Sequence, residues 1–128
     1  MTNELFDITN KTKGKLPRLP FLEIKNTVLG PKYELSLVFI GSTLSRRLNR
    51  EHRGKDKPAN VLSFPLTKTT GEIFIDLNHA KKQSPLFETT PEKFIGLLFI
   101  HGLHHLKGME HGSRMEEGEE QIRKKYKL

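Results

Sequence analysis

The chain contains no cysteine. Disulfides and thiolate zinc sites are therefore excluded, and any zinc must be held by histidine and carboxylate side chains. No apolar run approaches the roughly 20 residues that a membrane-spanning helix needs, so no membrane association is expected. The opening residues, MTNELFDITNKTKGK, lack the apolar stretch of a secretory signal, and the expected compartment is the cytoplasm. There is no internal repeat and no low-complexity segment. Acidic residues are outnumbered: 22 Lys+Arg against 15 Asp+Glu leave a formal charge of +7. That surplus favours an anionic partner, nucleic acid first. It is concentrated between Arg46 and Lys57, where Arg46, Arg47, Arg50, Arg53, Lys55 and Lys57 face only Glu51 and Asp56. The stretch from Ser113 to Leu128 is mixed in sign and reads as a solvated helix face.

What is present is enough for one domain with one modest core, at 128 residues. Weak alternation over residues 4–8 predicts a first strand. Pro20 opens a helix that Gly30-Pro31 ends. Alternation over residues 33–40 predicts a strand, with Leu35, Leu37 and Phe39 on one face. Ser42 is then expected to cap a helix to about residue 51, with Leu44 and Leu48 facing the core. A basic loop over residues 52–60 leads to two β-rich runs, residues 61–66 and 72–77, in a hairpin around Thr-Lys-Thr-Thr-Gly. Residues 78–83 suit a turn or two of helix. Thr89 or Thr90, followed by Pro91, starts the longest helix, which is apolar nearly all round and therefore buried. Gly108 ends it, and a last helix runs from about Ser113 to Tyr126.

The informative cluster lies at the end of that long helix. Four of the six histidines fall in the run His101-Gly102-Leu103-His104-His105-Leu106-Lys107-Gly108-Met109-Glu110-His111. His101 and His105 are four apart and share one helical face. Gly108 can adopt a left-handed cap and turn the chain back, which lets His111 arrive from the loop. Three neutral imidazoles with an open fourth position describe a catalytic zinc site; nickel and copper also suit such a set. His104 is rotated by about 100° from His105 and is expected to support or pack. Metzincin proteases share the three histidines and the glycine, but they place a general-base Glu where this chain has Gly102. Peptide hydrolysis is disfavoured for that reason.

The run HGLHHLKGMEH resembles the H-G-x-L-H-L-x-G-Y-D-H signature of the YbeY family of bacterial endoribonucleases, which are rRNA maturation factors. Upstream, the segment from Arg53 to Pro65, RGKDKPANVLSFP, resembles the family's R-x-x-x-x-P-T-D-V-L-S-F-P, and Gly71-Glu72-Ile73-Phe74-Ile75 its G-D-I-x-I strand. The agreement runs from about Leu48 to Gly112. His104 stands in place of Leu, Met109-Glu110 in place of Tyr-Asp, Ala59-Asn60 in place of Thr-Asp, and His52 where Tyr is usual. None of these removes a ligand.

The resemblance implies a metal-dependent, single-strand-specific endoribonuclease in 16S rRNA 3′-end maturation and ribosome quality control. It implies one zinc or other divalent ion on His101, His105 and His111, and Arg53 at the active site. The partners would be rRNA and the small ribosomal subunit. The guanidinium of Arg53 is always charged and forked to fit a phosphate. Arg50, Lys55 and Lys57 are candidate RNA backbone contacts. Ser63 is expected as a strand-edge hydroxyl, Pro65 as an edge marker, Glu72 and Asp76 as solvent-facing, and His52 and His79 as surface residues. The expected fold is α+β: a small mixed sheet packed with helices, the metal at the end of a central buried helix. The rival classes are a non-catalytic ribosome-assembly factor with a structural zinc and a metal-dependent hydrolase of another substrate.

Overall fold

A computed structural model describes residues 5–109 and 112–128. Four strands form one sheet in the order β1-β2-β4-β3: β1 (Phe6–Asn10), β2 (Glu34–Ile40), β3 (Val61–Pro65) and β4 (Thr70–Asp76). β1 pairs with β2 and β2 with β4 in parallel, while β3 and β4 form the antiparallel hairpin. The helices are α1 (Phe21–Leu29), α2 (Ser42–Arg53), α3 (Leu77–Gln83), α4 (Pro91–Leu106) and α5 (Ser113–Tyr126), with a 3-10 turn at Ser84–Phe87. The sheet is mixed and the class is α+β, as expected. The first strand begins two residues later than its alternation suggested.

Strand side chains alternate between the two faces of the sheet. Leu35, Leu37, Phe39, Ile73 and Ile75 are essentially inaccessible and pack with α1 and α4 through Phe21, Ile24, Ile95, Phe99, Ile100 and Leu103. Phe21 meets Phe99 edge-on at 5.1 Å and Phe39 at 5.9 Å, the geometry that aromatic quadrupoles favour. The other face, carrying Val38, Ile40, Leu62 and Phe74, packs with α2.

α4 starts as its sequence demands. Thr90 accepts from the Lys93 amide at 3.2 Å, with Pro91 in the first turn. It approaches the sheet closely because residue 102 is glycine: a Cβ there would lie 2.9 Å from Ser63 Oγ and 3.1 Å from Ile73 Cδ1.

α2 departs from its expected form. The cap position is Gly41, with no side-chain cap, and the Ser42 hydroxyl donates instead to Asp76 Oδ1 at 3.2 Å. Its fully buried residues are Ser45 and Asn49, while Leu44 and Leu48 are only half-buried. The helix continues to Arg53, where Gly54 takes a left-handed cap at φ +68°.

Candidate metal centre and nucleic-acid cleft

α4 carries His101 and His105 out of the core on its last two turns, both half-buried. Their Nε2 atoms face each other at 3.0 Å, with the rings nearly perpendicular. Gly108, at φ +90°, then turns the chain away. The expected third ligand, His111, lies outside the described residues, as does Glu110. Among the described residues no three His, Asp or Glu side chains converge on one point.

The His101 ring is oriented by a residue that the sequence did not reveal. Glu119 on α5 places Oε1 3.2 Å from His101 Nδ1. A carboxylate only accepts, so Nδ1 carries the proton and Nε2 presents its lone pair towards His105. A carboxylate behind an imidazole is the arrangement that fixes the tautomer of a metal-binding histidine and raises its basicity. An unprotonated nitrogen facing another imidazole nitrogen at 3.0 Å is satisfied by a proton or a cation between them. The donor set therefore fits a divalent ion. Glu119 was hidden because it is eighteen residues from His101, on a helix whose charges read as a solvated face. Only the packing of α5 on α4 brings the two together.

Both histidines open on a cleft of about 880 Å³. Its walls include the whole of β3, together with Arg53, Lys55, Lys57 and His79. Among the described residues no Asp or Glu lines it. Arg53, the last residue of α2, is exposed, as are Lys55 and Lys57 in the loop that follows.

That loop is held by the polar face of α2. Ser45 Oγ donates to the Ala59 carbonyl at 2.8 Å and accepts from the Ala59 amide at 2.9 Å. Asn49 Nδ2 donates to the Lys57 carbonyl at 2.8 Å. Outside, Asp56 takes a bidentate pair from Arg46 at 2.8 and 3.0 Å and a longer contact from Arg50 at 3.5 Å. The hydrogen bond from Arg46 holds the Asp56 carboxyl below its ordinary range and raises the guanidinium in turn. The structure thus brings Arg53, Lys55 and Lys57 to the cleft. It does not bring Arg50, which lies on the outer side of the loop beside Asp56.

The family model described as Endoribonuclease YbeY matches residues 7–127. The chain belongs to this family. It is 33% identical to the Endoribonuclease YbeY of Wolinella succinogenes, over 93% of this chain and 85% of that one. It is 30% identical to the YbeY of Aliarcobacter butzleri, over 97% and 94%, and 36% identical to that of Campylobacter jejuni, over 80% and 81%. The solution structure of TM1509 from Thermotoga maritima superposes with a TM-score of 0.64 at 26% identity, covering 91% of this chain and 85% of that one.

Within this YbeY-family chain, several side chains sit differently from expectation. His79 is not a surface residue. It is half-buried, lines the cleft, and hydrogen-bonds through Nδ1 to Asn60 Oδ1 at 2.5 Å. Asp76 is not solvent-facing. It is fully buried, caps α3 by accepting from the His79 amide at 2.9 Å, and takes the Ser42 hydroxyl on the same oxygen. Glu72 is half-buried and shares the sheet face of Phe64 and Phe74, opposite α4, so the sheet separates it from the histidine pair. His52 is exposed as expected, but its ring packs on Phe64 at 4.7 Å at the cleft wall. Phe64 lines the cleft and is only half-buried, whereas Leu62 is in the core. The Ser63 hydroxyl donates to the Gly102 carbonyl at 3.2 Å and ties β3 to α4. His104 is buried and packs, donating from Nδ1 to the Ile100 carbonyl at 2.8 Å and lying against Gly118 of α5.

Proposed function

We propose that this chain is a metal-dependent endoribonuclease that cuts single-stranded RNA in rRNA maturation, with the metal and the RNA cleft in its one domain. The observation that carries this reading is a convergent imidazole pair, backed by Glu119, opening on a cleft lined by cations. Membership of an endoribonuclease family supports the reaction class. In this reading His101 and His105 hold one divalent ion, zinc first, with His111 as the third ligand. Such an ion supplies Lewis acidity and acidifies a bound water towards neutrality.

The remaining work falls to the protein. Arg53 grips the scissile phosphate with its forked donors and offsets the charge that grows on it in the transition state. Lys55 and Lys57 hold neighbouring phosphates as point charges, so affinity falls steeply with salt. The RNA would come from the small ribosomal subunit, in the cytoplasm. No helix among the described residues is long and apolar enough to cross a membrane.

The test is cleavage of single-stranded and structured RNA by the purified protein, with metal content measured by elemental analysis. Chelation should stop cleavage and re-addition of the ion restore it. His105→Ala should lose both metal and cleavage. Arg53→Ala should keep its metal and fall by about 10²–10³ in kcat, the scale of losing one transition-state donor. A folded His105→Ala variant that cleaves as fast as wild type would sink the proposal. Wild type that cleaves nothing yet binds small subunits would make the chain an assembly factor.

A further inference from the structure

The open edge of β3 forms one wall of the cleft, and its hydrogen-bonding parity can be read from the ladder. Asp76 N donates to Asn60 O, and Leu66 N to Thr70 O, both at 3.0 Å. With Val61 opposite Ile75 and Ser63 opposite Ile73, the bonded pairs of an antiparallel ladder fall on the even residues of β3. The N–H and C=O groups of Val61 and Ser63 therefore point away from β4, out of the sheet edge. Pro65 shares their parity, and it is tolerated there because no ladder bond needs its missing N–H. Among the described residues neither the Val61 nor the Ser63 amide is given to another group. The Ser63 side chain is turned to α4, which leaves its backbone facing the cleft.

We infer that the β3 edge is a backbone-binding rail for an extended single strand of RNA: the Val61 and Ser63 amides donate to successive phosphates, and Pro65 ends the donor row. The inference rests on the nuclease reading and names how that cleft holds its substrate. Two residues along a strand span about 6.7 Å, comparable with the spacing of neighbouring phosphates on an extended single strand. Between the two donors lies the outward carbonyl of Val61, which can only accept. On a nucleic acid backbone the matching donor is the ribose 2′-hydroxyl, the group that separates RNA from DNA. Arg53, Lys55 and Lys57 line the same cleft, and no described acidic residue lines it. That charge suits a polyanion better than a peptide strand, which the same edge could otherwise extend. A duplex offers no such single extended backbone to a sheet edge.

Because Pro65 already shows that this parity accepts proline, Val61→Pro and Ser63→Pro remove one outward donor each without removing a ladder bond. The probe is a short oligouridylate, bound in chelator so that it is not cut. Each variant should bind it about tenfold more weakly, the loss of one charge-assisted hydrogen bond, with unchanged affinity for duplex RNA. A second readout does not depend on the variants folding. In the wild-type protein, the amide proton signals of Val61 and Ser63 should shift on titration with oligouridylate, while those of Leu62 and Phe64 shift much less. Unmoved Val61 and Ser63 amides in a protein that still binds and cuts RNA overturn the rail alone. A protein that neither binds nor cuts RNA overturns the nuclease reading and the rail with it. Amides that respond to an extended peptide but not to RNA assign the edge to protein binding and also overturn the proposal.

Discussion

The two faces of the sheet are built on different principles. On the α1/α4 face, apolar side chains close over one another, and the polar side chains buried on those two helices, Lys25 and His104, bond to backbone carbonyls. On the α2 face the innermost helix residues are Ser45 and Asn49, and their hydrogen bonds go not to the sheet but to the loop after α2. The first face supplies stability by burial, which is non-directional and tolerant of small shifts. The second converts a few directional bonds into the position of Arg53, Lys55 and Lys57. Stability and RNA handling should therefore be separable by mutation, face by face.

The largest effect on stability should come from the apolar face. Phe99→Ala removes a fully buried ring that touches Phe6 and Phe21, and it should cost about 3–5 kcal/mol. Denaturant melts would show this, while cleavage per folded molecule stays near wild type. An equal loss of specific activity would erase the distinction between the faces. Asn49→Ala should do the opposite. Losing its bond to Lys57 should cost only about 1–3 kcal/mol, yet KM for single-stranded RNA should rise several-fold because the cationic loop is no longer held. A variant with unchanged KM would show that the loop positions itself.

Glu119→Gln tests the link between α5 and the proposed metal centre. A carboxylate hydrogen-bonded behind a ligating imidazole is worth about 10–100-fold in metal affinity, so competition with a chelator should reveal a weaker site with little change in thermal stability. Unaltered affinity would make the Glu119 contact incidental. The smallest effect should follow Asp56→Ala. Its pair with Arg46 is exposed, and exposed ion pairs contribute little. The direction with pH is nevertheless defined. The folded carboxyl sits below its ordinary value of 3.8, so its contribution is whole above that value and fades as pH falls through the lowered one. Adding salt at neutral pH should reduce the difference between Asp56→Ala and wild type.

Local chemistry made much of this legible. The Thr90-Pro91 start of α4, the hairpin of β3 and β4, the glycine turn after His105 and the shared face of His101 and His105 are short-range consequences of residue type and periodicity. The side-chain partners that matter most were not legible, because they are distant in sequence. Asp76 reads as a polar strand residue and is in fact a buried cap that also holds Ser42. Ser45 and Asn49 read as the polar side of an amphipathic helix whose leucines face inward. His79 reads as surface and lines the cleft beside Asn60. Periodicity reports which side of an element is apolar, not which loop will fold over its polar side.

The sequence by itself determined that an imidazole pair ends a buried helix, that a basic loop precedes a Val-Leu-Ser-Phe-Pro strand, and that thiolate chemistry is absent. These follow from residue types at short spacing, where geometry is set by the helix and strand repeats. Tertiary structure alone decided that Glu119 backs His101, that Arg53, Lys55 and Lys57 share a cleft while Arg50 is turned to Asp56, and that β3 is an edge with two amides facing that cleft. Those are contacts between segments far apart along the chain, and the packing of helices on the sheet, not any local repeat, sets which of them meet.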